Sequence, residues 1–273
     1  MWIIEKDVFS ENLESLTAVL DDRGIDHYEA TYVPFEGALE FNGKRPPDQP
    51  SFLYGSIQLC RSAQGRKSPL SVYPTMFCNF HRFRCVEYYP RFGEHLTQRD
   101  YVMLPLGELD RRKGFLMDTL GDNGCLFIRP DDGEKSFCGQ VVSEDTWTRD
   151  MNTLRLYDAF PETLCLVARP QNIKKEWRLV IAEENDQQSV IAHSQYKHND
   201  QLTILEETPE EVLTFAQSLL NCGYEPDPMW TMDIAETKNG LSLLEVGSLS
   251  AAGWYDCDLG AIVDNVERIK HEN

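Results

Sequence analysis

Apolar residues in this chain fall mostly into short runs and alternating stretches, and helical spacing appears only locally. Trp2-Ile3-Ile4 is a short apolar run and predicts an opening strand. Ser10 stands as an N-cap before Leu13, Leu16, Val19 and Leu20, which share one helical face, and Gly24 stops that helix. A second strand is expected over 25–32, so the N-terminus reads β-α-β and suggests a small open α/β sheet. Residues 42–50 are rich in proline and polar side chains and predict a loop. Phe52-Leu53-Tyr54, running into Gly55-Ser56, reads as a strand entering a tight turn.

The pattern shifts near the middle. Val102, Leu104 and Leu106 alternate, and the charged stretch 107–113 then reads as a connector. It divides an N-terminal α/β domain, 1–106, from a second domain, 107–273. Strands are expected over 126–129, 135–142, 164–168, 176–182 and 189–192, with turns at Asp131-Asp132-Gly133 and at 185–188. Thr208, Pro209 and Glu211 have the form of a capping box. The helix they open buries Val212, Leu213, Phe215, Ala216, Leu219 and Leu220 and ends at Gly223. Two last strands, around 230–236 and 241–246, are joined at Lys238-Asn239-Gly240, where Asn-Gly supplies the positive φ that tight hairpins need. The fold class is α/β (α+β).

Composition narrows the partners. The chain has 273 residues and a net charge of −19, which argues against nucleic acid, because phosphate backbones are held by basic surfaces. A nucleotide pocket remains open, since a few cations can act locally. Eight cysteines are scattered without a CxxC pair, and no segment approaches the ~20 apolar residues that span a bilayer. With charges at Glu5, Lys6 and Asp7 and no signal peptide, the expectation is a cytoplasmic protein with reduced thiols and no membrane partner. Arg61, Arg66 and Lys67 form a basic patch that suits a solvated loop or a phosphate clamp. The aromatic run 77–89 suits core or base binding.

Candidate chemistry begins in the last hairpin. Asp233 and Glu245 sit in its two strands, each beside apolar neighbours. Carboxylates on paired strands can converge on one face, and two hard oxygen ligands suit Mg²⁺ carrying a nucleotide's phosphates. Two solvated carboxylates on an amphipathic hairpin fit the same pattern. Arg129, Lys135 and Arg178 lie on or next to strands, where an unpaired charge would be costly. Each alone also suits a structural ion pair. Taken together, cations for phosphate oxygens and carboxylates for the bridging metal are what ATP chemistry requires. No P-loop, G-x-G-x-x-G or G-x-S-x-G motif is present, so a nucleotide would have to bind between sheets.

That arrangement resembles the ATP-grasp superfamily. FIRPDDGEKSFCG is similar to its strand pair presenting cations to ATP phosphates. LVARPQNIKKEWRLVI is similar to its hinge strand and the next strand with a functional arginine, and MDIAETKNGLSLLEVGSLSAAGWYDCD to its metal-binding hairpin. More narrowly, the pattern resembles the clade of bacteria and their phages named for two arginines and one lysine. FLYGSIQL and VYPTMFCN resemble that clade's preceding domain.

The resemblance implies an ATP-grasp fold, with a small pre-ATP-grasp domain followed by two antiparallel-sheet lobes enclosing the nucleotide. It implies ATP and Mg²⁺ as cofactors. Arg129, Lys135 and Arg178 would contact phosphates and the acyl-phosphate intermediate. Leu166, Val167, Ala168 and Arg169 would meet the adenine, Glu176 would orient Arg178 or reach the nucleotide, and Asp233 and Glu245 would hold the metal. The activity implied is ATP-dependent joining of a carboxylate to an amine, on small-molecule or peptide substrates. Many members carry Glu-x-Asn where this chain has Glu245-Val246-Gly247, which puts a second metal in doubt and leaves room for a nucleotide-binding protein that has lost turnover. Trp254-Tyr255-Asp256 would either line a substrate pocket or pack against the hairpin.

Overall fold

Trp2, Ile3 and Ile4 do form a central strand. In the computed structural model, β1 (Trp2–Glu5) pairs in parallel with β2 (His27–Val33) on one side and β4 (Phe52–Tyr54) on the other. A further strand, β3 (Ala38–Phe41), runs antiparallel to β2, giving the order β3-β2-β1-β4. The structure describes all residues except 66–67, 156–158, 186, 206 and 273. Arg66 and Lys67 of the basic patch, and Asp186 of the turn expected over 185–188, lie outside the described residues.

The chain divides into two units. The first comprises Met1–Asn79, Lys175–Ile234 and Glu245–Asn273; the second comprises Phe80–Lys174 and Ala235–Leu244. In the first, helix α1 (Ser10–Asp22) joins β1 to β2 and stops before Gly24, whose φ is +63°. Phe9, not Ser10, occupies the N-cap position, with no side-chain cap. Helix α2 (Ile57–Gln64) is capped by Ser56, whose hydroxyl accepts the Leu59 N–H at 3.1 Å. One face of the small sheet packs Ile3, Ala30 and Leu53 against Leu59 and Ala63. The other packs Trp2, Ile4, Phe52 and Tyr54 with Leu16, Leu20 and the C-terminal helix α7 (Leu259–Glu272).

A five-stranded sheet follows in the order β11 (Gln201–Leu205), β10 (Gln187–His198), β9 (Ile173–Glu184), β12 (Met229–Thr237) and β13 (Gly240–Ser248). The hairpin turn falls on Lys238-Asn239, and Gly240 takes φ +100°, a conformation few side chains tolerate. Helix α6 (Glu210–Leu220) begins one residue later than the capping box requires. Pro209 is its N-cap, and the Thr208 hydroxyl makes no hydrogen bond to the described residues.

In the second unit an antiparallel sheet has the order β5 (Tyr101–Pro105), β8 (Leu164–Ala168), β6 (Cys125–Pro130) and β7 (Gln140–Ser143). Helices α4 (Leu109–Leu120) and α5 (Trp147–Arg155) cover it through Leu109, Leu116, Trp147 and Met151. The charged stretch 107–113 therefore runs into α4. The aromatic run 77–89 is core in both units, and helix α3 (Cys85–Phe92) buries Tyr88 and Tyr89. The strand expected over 135–142 begins only at Gln140. Asp132 accepts hydrogen bonds from the Ser136 amide at 2.9 Å and its hydroxyl at 2.6 Å, folding the segment into a turn with Lys135 at φ +53°.

Two glycines of the second unit should respond in opposite senses to an added methyl. A Cβ at Gly133 would lie 2.4 Å from the Phe80 carbonyl oxygen, so Gly133→Ala should destabilise by ~1–3 kcal/mol. Gly114, inside α4 with nothing within 4 Å, should gain ~0.5–1 kcal/mol as alanine. Urea unfolding of the two variants checks both signs.

Asp227 offers a pH test in the first unit. Burial pushes its carboxyl up to about 7, although it accepts the Asn79 N–H at 2.8 Å. The folded value lies above the ordinary 3.8, so the native state binds the extra proton between the two. Its contribution to stability is therefore greatest below pH ~4 and is lost as pH rises through ~7. Asp227→Asn should flatten the fall in stability across that window, as read from unfolding midpoints at successive pH values.

Candidate active site

The first unit assembles a buried charge network around Arg178. Strand β9 places Arg178 between Trp177 and Leu179, and its guanidinium meets Asp233 of β12 through Nε and Nη2, each 2.8 Å from a different carboxylate oxygen. Its Nη1 donates to the Gly253 carbonyl at 2.6 Å. The rings of Tyr196 and Tyr255 stack at 4.6 Å and lie 5.5 and 5.2 Å from the guanidinium carbon. Such contacts favour a desolvated cation. Burial works against the charge, but Asp233 outweighs it and holds the arginine's pKa well above its usual value.

Tyr196 owes its place to a β-bulge. Gln195 pairs with Trp177 and Lys197 with Glu176, leaving Tyr196 as the extra residue between them. Bulges redirect side chains in this way. Its hydroxyl donates to Glu176 and stands 3.2 Å from Asp233 Oδ2. Burial, then the charges of Asp233 and Glu176, push the phenol's pKa well above its usual value, so it stays a neutral donor. Lys197 meets Glu176 at 3.0 Å. Three residues expected from sequence, Glu176, Arg178 and Asp233, thus meet in one network. Tyr196 and Lys197 were not among the expected site residues, because nothing in the sequence marks a bulge. Of the triplet Trp254-Tyr255-Asp256, Trp254 packs in the core, while Tyr255 covers Arg178.

Glu245 is half-buried on β13, next to β12 in the sheet. A Cβ at Gly247 would lie 3.0 Å from Thr231 Oγ1 and 3.9 Å from Glu245 Oε1. With side chains alternating along each strand, Thr231, Asp233, Glu245 and Gly247 share a face. Among the described residues no group of three or more His, Cys, Asp or Glu could form an all-protein metal cage. Mg²⁺ needs no such cage, because one or two carboxylates suffice when water and phosphate complete the shell. Arg178 takes one lone-pair position on each Asp233 oxygen and Tyr196 approaches Oδ2, which leaves a position on Oδ1. Asp233 and Glu245 fit this hard cation as donors.

The second unit holds the remaining expected residues. Arg129 is buried on β6, opposite Leu166 of β8, with Nη1 donating to the Tyr88 hydroxyl at 3.3 Å. The end of β6 is fixed by Asp131, which accepts Arg84 Nε at 2.8 Å, Nη2 at 2.6 Å and the Val86 N–H at 2.8 Å. Lys135 lies exposed in the turn after β6. Leu166, Val167 and Ala168 are fully buried, and Arg169 emerges beyond them. Within this unit Arg169 borders a polar cavity of about 680 Å³ with Thr97, Arg99, Asp122 and Lys238.

Residues 84–266 match a family of ATP-grasp domains, family 3 of the clade named for two arginines and one lysine. The chain belongs to that family. Solved structures agree on the ATP-grasp fold. D-alanyl-alanine synthetase A from Vibrio cholerae superposes with a TM-score of 0.63 at 11% identity, over 99% of this chain and 94% of that one. The D-alanine-D-alanine ligase from Coxiella burnetii gives 0.62 at 12%, over 99% and 94%. The ATP-grasp ligase PsnB, complexed with minimal precursor, gives 0.53 at 12%, over 98% and 97%. Identities this low carry the ATP-grasp fold and nothing more specific. No curated protein matches the sequence. Among the described residues of this ATP-grasp protein, no helix is long and apolar enough to cross a membrane.

The buried ion pair predicts a non-additive response. Asp233→Ala leaves Arg178 charged without its carboxylate and should destabilise by ~3–5 kcal/mol. Adding Arg178→Met should recover most of that loss, so the double variant unfolds at higher urea than Asp233→Ala alone.

Proposed function

We propose that this ATP-grasp protein is an ATP-dependent carboxylate–amine ligase acting on small-molecule or peptide substrates. In this reading residues 1–106 form the preceding domain and 107–273 the ATP-grasp domain. The observation that carries it is the state of Arg178. A guanidinium has five N–H groups, and Asp233 and Gly253 receive three of them. The other two make no hydrogen bond to the described residues and are held in a fixed, desolvated orientation. Such donors suit oxygens on which negative charge develops.

Bound ATP and Mg²⁺ would supply the phosphoryl group that activates the substrate carboxylate as an acyl phosphate, which an amine then displaces to form the amide. Asp233 and Glu245 would hold the metal. Arg129, Lys135 and Arg178 would bind phosphate oxygens, drawing together groups that otherwise repel. Leu166, Val167, Ala168 and Arg169 would seat the adenine against the strand backbone. Glu176, tied to Tyr196 and Lys197, would fix the bulge that orients Arg178. A second reading, nucleotide binding without turnover, draws on Gly247, where many relatives by resemblance carry a metal-binding asparagine.

Thermal unfolding with a non-hydrolysable ATP analogue and Mg²⁺ tests the nucleotide site. A ligand at ~100 times its Kd adds about 2.7 kcal/mol. For a chain of this size the midpoint should rise roughly 5–10 °C, with the rise dependent on Mg²⁺ and lost in Lys135→Ala. No rise at millimolar nucleotide would sink the proposal. ADP release across a panel of amino-acid and peptide acceptors separates ligase from binder: Glu245→Gln should abolish turnover in a ligase and leave a binder unchanged.

A further inference from the structure

Among the described residues the most deeply buried carboxylates are matched by cations, with one exception, while the less deeply buried Asp227 also has a backbone N–H in place of a cation. The most deeply buried are Glu5, Asp131, Glu176 and Asp233. Asp131 pairs with Arg84, Glu176 with Lys197 and Asp233 with Arg178. Glu5 is only 7% exposed and has no cationic partner among the described residues. Its one hydrogen bond brings the Ser56 N–H to Oε2 at 2.6 Å, leaving Oε1 unused. A charge withdrawn from water without a counter-charge is expensive to keep. The missing partner is one that a ligand can bring.

The position of Glu5 suits a ligand. It closes β1 at the strand's carboxyl end, and β1 lies between β2 and β4, parallel to both. The chain leaves β1 towards β2 through α1, while β4 pairs on the opposite side, so the order reverses beside β1. Open parallel sheets bind ligands in the crevice outside the carboxyl ends at such a switch point. Facing Glu5, the chain leaves β4 through Gly55 and Ser56 into α2. A Cβ at Gly55 would lie 2.7 Å from Glu5 Oε2, so the carboxylate needs glycine there. Glu5 already receives the N–H of Ser56, the N-cap of α2, so a carboxylate rather than a free donor faces the crevice, which disfavours phosphate or carboxylate there. The same crevice is tied to the Arg178 network by one loop. Gly55 donates to the Ser250 carbonyl at 2.9 Å, and three residues on, the Gly253 carbonyl accepts from Arg178.

We infer that Glu5 binds the primary ammonium group of an amine-bearing substrate, such as a free α-amino acid, and selects for it. The inference rests on the ligase reading for its place in the reaction.

The test is thermal unfolding of the full chain, saturated with ADP and Mg²⁺, against each standard amino acid and its N-acetyl counterpart. At least one free amino acid should raise the midpoint and its acetylated form should not. Glu5→Gln keeps an oxygen for the Ser56 N–H and should weaken that amino acid at least tenfold while retaining the ADP shift. Equal effects of free and acetylated forms, undiminished binding in Glu5→Gln, or no response to any amino acid would each overturn the assignment. The acetylation comparison uses wild-type protein and stands even where the variant does not fold. An absent ADP shift would instead count against the ligase reading, and the amino-acid arm run without nucleotide would then decide Glu5 by itself.

Discussion

Keeping a guanidinium charged away from water is the constraint that organises the first unit. Arg178 cannot shed its proton, so the surrounding chain must replace the water it has lost. Asp233 answers with a bidentate pair, which requires β12 beside β9. The Gly253 carbonyl answers next, which requires the chain after β13 to turn back over the sheet. Trp254 secures that return by stacking on Tyr54 at 4.0 Å and donating its indole N–H to Leu249, while Asn12 of α1 donates to the Tyr255 carbonyl at 2.6 Å. Tyr255 thereby tolerates φ +52°, a backbone strain that its stacking on Tyr196 accompanies. Strand, bulge, loop and helix are thus fixed by the needs of one side chain.

Much of the architecture was legible because buried strands write themselves as apolar runs. Leu164 to Ala168 matches β8 residue for residue, and the last hairpin extends the expected strands by one or two residues at each end. The pairing of Asp233 with Arg178 was less visible. Sequence shows a charge flanked by apolar neighbours, but only the sheet order reveals which strand brings the opposite charge. Lys135 misled for a different reason: the segment after it alternates like a strand, yet the Asp132 side chain captures two groups of Ser136 and curls the backbone. Helix α7, absent from the expectations, carries a readable signal in Ile262, Val263, Val266 and Ile269 at helical spacing. Asp258 caps it through the Ala261 N–H at 3.0 Å.

Tyr196 lies beyond any pattern reading. Strict alternation along β10 would assign faces from one end to the other, but the strand carries register shifts at 190/192 and at 195/197. Each extra residue reverses the face of everything after it. The phenol that bridges Glu176 and Asp233 is a product of that second shift. Replacing it in thought by an unbulged strand would send the ring elsewhere and leave Glu176 with Lys197 alone.

Net charge and local charge also part company here. A chain at −19 repels polyanions at a distance. Within a few ångströms the balance depends on which charges are desolvated, since screening weakens exposed pairs far more than buried ones. Arg178 and Arg129 are buried, whereas most of the acidic excess lies on the surface. A buried cation with unused donors can therefore attract an anion that the protein as a whole disfavours. By the same logic Glu5, a buried anion without a cationic partner among the described residues, favours the opposite charge. The two buried signs, joined by the loop from Ser250 to Gly253, match a reaction that must hold phosphate oxygens and an amine at once.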